Sequence, residues 1–162
     1  MQTSSGAAVE NIRPRWTEIA LWRATWTSAL LFSGASIART AYDWLVPTHD
    51  FHARSTASTA IAAAILLSVG FAAAWRSRSL IAGPIAALIT SQIAALISVA
   101  GAAILLAIWH DPQTRSAITA SGGLGEVFEL PFMMAIPGLL LGTVGGVAGK
   151  LIRSGTRRIK PT

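Results

Sequence analysis

From Ser79 to Trp109 the chain carries no Asp, Glu, Lys or Arg, and Thr56 to Trp75 forms a second uncharged run of twenty residues. At 1.5 Å per residue the shorter run makes about 30 Å of helix, the thickness of a bilayer's hydrocarbon core. Backbone immersed in lipid must satisfy its own amides and carbonyls, which leaves helices and closed barrels as spanning structures. Barrel strands alternate apolar and polar residues over segments of about ten. Here the runs are continuous and rich in Ala and Leu, which favour helix. The fold class that follows is all-α, an integral membrane protein.

Only 12% of the 162 residues are charged and 52% are hydrophobic, against about 25% charged in an ordinary soluble domain. The length accommodates a bundle of four transmembrane helices with short connections and no second soluble domain. The absence of cysteine excludes disulfides, thiol nucleophiles, iron–sulfur clusters and Cys-ligated zinc. With 13 basic and 7 acidic residues the net charge is +6, but in a membrane chain the placement of charge matters more than its sum. The excess is therefore no argument for nucleic acid. No removable signal peptide is expected, because the first fifteen or so residues are polar and Arg23 interrupts the apolar run behind them.

The expected organisation is a polar cytoplasmic segment over 1–16, a transmembrane domain over 17–152 and a basic cytoplasmic tail over 153–162. Spans are placed at 17–39, 56–75, 84–109 and 129–150, the first being the least apolar and extending toward Val46. Pro84 and Pro131 suit the first turn of the third and fourth helices, since a first-turn amide has no helical acceptor. Gly122, Gly123 and Gly125 read as a flexible lead into the fourth. Near the span ends Arg13, Arg15, Arg76, Arg78, Lys150, Arg153, Arg157, Arg158 and Lys160 fall on one side, and Arg39, Arg54 and Arg115 on the other. The excess of positive charge puts both N- and C-termini in the cytoplasm. Trp16, Trp22 and Trp75 then mark the inner interface, and Tyr42, Trp44 and Trp109 the outer one. The expected location is the cell membrane, or the inner membrane in a Gram-negative bacterium.

Gly138, Gly142 and Gly146 recur every four residues in the fourth span, and Gly145 and Gly149 form a second, offset row. Small residues at this spacing let helix backbones approach closely. They serve packing within the bundle, self-association or the lining of a route. The third span offers a matching row in Gly83, Ala87, Ser91, Ala95 and Ser98. Pro137 removes the amide that would bond the Met133 carbonyl, so a kink is expected there, with exposed backbone as the functional alternative. Glu126 and Glu129 lie three apart on one helix face. They suit either the positive end of the helix dipole or a cation or proton relay. Arg23 lies about 9 Å inside its span and reaches the headgroups by snorkelling. Gln92, near mid-membrane, calls for a partner on another helix or a ligand.

His49, His52 and His110, with Asp50 and Asp111, gather on the outer side. Their spacing lacks the helical pairing that orients metal ligands, so no metal and no cofactor is assigned. Nucleophile elbows, calcium loops and dinucleotide fingerprints do not occur in the sequence. The functional expectation is an assembly or accessory subunit packing through Gly/Ala faces, without enzymatic chemistry. The alternatives are a transporter or channel component for an ion or small solute, and a membrane enzyme with an outer His/Asp/Glu site. Expected partners are the lipid bilayer, anionic lipids at the basic C-terminal tail, and a second copy or another membrane protein.

Overall fold

The computed structural model describes residues 13–46, 52–109, 111–120 and 123–158, and the described elements are all α-helical. They are α1 (Arg13–Leu45), α2 (His52–Ser77), α3 (Ala82–Ile108), α4 (Pro112–Ala120) and α5 (Gly123–Arg158). Among the described residues three stretches are long and apolar enough to cross a membrane: His52–Ser77, Ala82–Ile108 and, within α5, Glu129–Gly155. With its 33 residues α1 is long enough, but it contains Arg23, Arg39 and Asp43 and is not one of them.

The helix ends follow from local chemistry. At the end of α2, Arg78 takes a left-handed conformation with φ 62°, and its amide donates to the Ala74 carbonyl at 3.0 Å. This is the αL cap, a position that glycine usually fills. Pro84 is the third residue of α3, inside the first turn, where a missing amide costs no helical bond. Trp109 leaves α3 in extended backbone while its amide still reaches the Leu105 carbonyl at 2.8 Å.

Three sequence expectations need correction. A separate helix, α4, occupies much of the stretch between the third and fourth spans. Gly123 and Gly125 are helical residues of α5 rather than a flexible lead, and Gly122 lies outside the described residues. Pro131 is therefore well inside a 36-residue helix instead of in its first turn. The early start of α5 places Glu126 and Glu129 in its first two turns, where acidic residues suit the helix dipole. Tertiary packing against α2 and α3 offsets the roughly 1 kcal/mol that each glycine costs a helix relative to alanine.

The longest contacts run between α5 and the pair α2 and α3, while α1 lies against α3 and α2. The buried positions are mostly small: Ala29, Ala73, Ala74, Ala86, Ala87, Ala94, Ala95 and Ala102, around Phe32 and Leu66. Large side chains point outward instead, among them Leu96, Ile104, Ile136 and Leu140, with Phe132 80% exposed. A water-soluble domain buries its large apolar groups. The inverted arrangement fits lipid as the surrounding solvent, with van der Waals packing of small residues holding the helices together.

Candidate functional site

Two polar arrangements and one backbone junction are the features on which a function can rest. The junction is formed by Gly70 of α2, Gly83 of α3 and Gly142 of α5. A β-carbon at Gly70 would fall 2.5 Å from the Gly142 carbonyl oxygen, and one at Gly83 would fall 2.7 Å from that same oxygen. At Gly142 it would fall 2.5 Å from the β-carbon of Ala87 and 2.9 Å from the Gly83 oxygen. Along α5, Gly138, Gly142 and Gly146 lie against Ser91, Ala87, Gly83 and Leu80 of the α3 side, with Gly142 also meeting Gly70 and Gly146 meeting Ala74 of α2, whereas Gly145 and Gly149 lie against Leu67 and Phe71 of α2. Both rows are thus covered by the chain's own helices.

Polar side chains of α3 also have partners. Thr90 donates to the Ala86 carbonyl at 2.8 Å, Ser91 to Leu88 at 2.9 Å and Ser98 to Ala94 at 2.8 Å, the back-bonding typical of hydroxyls in apolar helices. Gln92 reaches across to α5, where its Nε2 donates to the Pro131 carbonyl at 2.8 Å. A carbonyl has two lone pairs, so this bond adds to the helical ladder and ties α3 to α5. The helix continues through Pro131 and Pro137.

The second polar arrangement joins α1 to α2. Asp43, whose side chain is 8% exposed, receives Arg39 Nε on Oδ2 at 3.3 Å and Arg54 Nη1 on Oδ1 at 3.1 Å. Arg54 Nη1 also donates to the Val46 carbonyl at 3.0 Å, and its guanidinium lies 4.2 Å over the Tyr42 ring. The trio carries a net single positive charge. Beside it a cleft of about 130 Å³ opens between α1, α2 and α5, lined by Ser36, Arg39, Ser58, Thr59, Leu130 and Met134 among others. A guanidinium among hydroxyls over an apolar floor can hold an anion or the polar end of an amphiphile.

Arg23 is exposed on α1 and Glu129 is exposed on α5. Glu126 belongs to α5, but its side chain lies outside the described residues, as do His49, Asp50 and His110. His52 is the first residue of α2. Asp111 caps α4: its Oδ1 accepts the amides of Thr114 and Gln113, both at 3.0 Å, and its Oδ2 accepts the Thr114 hydroxyl at 2.7 Å. These bonds, the Thr114 amide foremost, hold its carboxyl below the ordinary aspartate value. Among the described residues no group of three or more His, Asp or Glu side chains is arranged to hold a metal ion.

Sequence reasoning missed Asp43 and its role as a shared counter-ion. The four-residue spacing from Arg39 was a usable signal for one pair. The other pair depends on the packing of α2 against α1. Comparison of the chain with known protein families, characterised proteins and solved structures finds no match.

Proposed function

We propose that this chain is a four-crossing protein of the cell membrane, with both termini in the cytoplasm, that serves as an assembly or accessory subunit. The fourth crossing is α1: at about 50 Å of helix it exceeds a hydrocarbon core, and Asp43 is neutralised by two arginines. The nine-to-three distribution of basic residues sets the orientation.

The observation that carries the reading is the self-sufficiency of the interior. The small-residue rows are filled by the chain's own backbones, and the polar groups of α3 bond to their own helix or to Pro131. The working surface is then the periphery, where α5 presents Phe132, Met133, Ile136, Leu140 and Val144. Purification from native membranes in mild detergent, followed by mass spectrometry, tests this. A membrane protein or second copy recovered at fixed stoichiometry is the expected result. A lone chain that moves a solute across proteoliposomes would overturn it. That second reading, a small transporter or channel component, draws on the Arg39 cleft, and it requires the flux to fall in Arg39→Gln.

A further inference from the structure

At the end of the molecule opposite the Asp43 cluster, α2 finishes in a turn that places Arg78 beside α5. A pocket of about 160 Å³ lies there, lined by Ala74, Arg78, Lys150, Arg153 and Ser154. Its volume is several times the roughly 30 Å³ that one water occupies in the liquid. Three of the five lining residues are cationic.

Two details show that this charge is placed and not merely solvated. Arg153, which lines the pocket, donates from Nη1 to the Trp75 carbonyl at the end of α2. Arg78 occupies the left-handed cap with φ 62°, where a residue with a side chain is disfavoured and glycine is the ordinary occupant. Arg76 already supplies a cation to the last turn of α2, so the helix dipole gives no separate reason for an arginine at the strained position. Strain kept at one residue points to use of its side chain.

We propose that Arg78, Lys150 and Arg153 form a binding site for a phosphate group, and that its occupant is the phosphodiester of an anionic membrane lipid. Guanidinium forks and an ammonium match phosphate oxygens in charge and geometry. The lipid source is favoured over free phosphate because Trp75 stands at the same end and Leu80 and Ile81, in the adjoining turn, are exposed. That is the mixed polar and apolar setting of a membrane interface. The proposal rests on the membrane reading above.

The test is native mass spectrometry of the full chain released from nanodiscs of mixed phosphatidylcholine and phosphatidylglycerol, paired with thermal unfolding in detergent free of anionic lipid. Arg78→Gly should unfold at the same temperature as wild type or higher, because the cap strain is relieved. It should nevertheless retain phosphatidylglycerol about fivefold less well, the effect of one lost charge near anionic lipid. Lys150→Gln should lose a similar factor, and Arg115→Gln, between α3 and α5, should lose none. Unchanged retention in both pocket variants, or an equal loss in Arg115→Gln, would overturn the site. Displacement of the lipid by millimolar inorganic phosphate would overturn the lipid assignment. If Arg78→Gly fails to fold, Lys150→Gln decides the matter alone. A chain that does not enter nanodiscs would remove the membrane reading and this proposal together, whereas one that enters and retains lipid indifferently removes only the proposal.

Discussion

Asp43 shows how unequal two bonds to one carboxylate can be. Arg39 is four residues away on the same helix and 37% exposed, whereas Arg54 comes from α2, is 23% exposed and also holds the Val46 carbonyl. An exposed helical pair contributes under about 1 kcal/mol. A largely buried carboxylate holding two cations is costly to remove, because its partners stay behind uncompensated. Asp43→Asn should therefore destabilise the chain by about 3 kcal/mol in detergent unfolding, and Arg39→Gln by less than about 1 kcal/mol. Equal losses in these two variants would mean that Arg39, and not Arg54, is the partner that carries the carboxylate's contribution. At this scale the sequence was legible where partners are local or polarity is rare. Gln92 was recognised as needing a partner because it interrupts an apolar helix, but the Pro131 carbonyl, 39 residues away, could not be named. Arg78 was counted only as a positive charge, since nothing in its neighbours announces a left-handed backbone.

Helix α4 illustrates what periodicity overlooks. Its nine residues are too few for a clear apolar stripe, yet Thr114 and Ile118, one turn apart, are both buried, and Ile118 packs with Trp44 and Ala102. The start signal was present in Asp111-Pro112, an acceptor at the cap followed by proline in the first helical position. The Asp111 carboxyl sits below its ordinary value, so its contribution is fully present above the unfolded aspartate value. It is lost as pH falls through the lower folded one. Acid titration followed by NMR should show the Gln113 and Thr114 amide signals moving together in that window. Asp111→Ala should fray the first turn of α4 and abolish the transition. Persistence of the transition in that variant would assign it to another group. The long helices were more legible, because uncharged runs of bilayer length admit few alternatives. Their ends were not, since α1 and α5 continue through charged residues without a break in the helix.

For the whole molecule the membrane reading came from composition, and the inverted distribution of small and large residues supports it. The proposed crossings and their direction call for their own measurement. Single cysteines introduced at Ser4, Ser77 and Thr162 should resist an impermeant thiol reagent added outside intact cells, while those at Thr48 and Ser121 should react. The native chain contributes no thiol background. External labelling at Ser77 would invert or break the topology, because the Arg76 and Arg78 turn anchors it. The Arg39 cleft and the Arg78 pocket were not legible in the sequence, as each draws on helices far apart in the chain.

The meeting of Gly70, Gly83 and Gly142 also bears on how this chain can change over generations. In most interiors an oversized residue can be rescued elsewhere, by trimming a neighbouring side chain to make room. At Gly70 and Gly83 the atoms in the way are backbone atoms of other glycines. Nothing there can be trimmed, since glycine has no smaller substitute. A larger residue at either point can be accommodated only by moving a whole helix, so second-site suppression is closed and simple reversion remains the short route back. This meeting of three backbones is thus a place where the sequence has little freedom to drift.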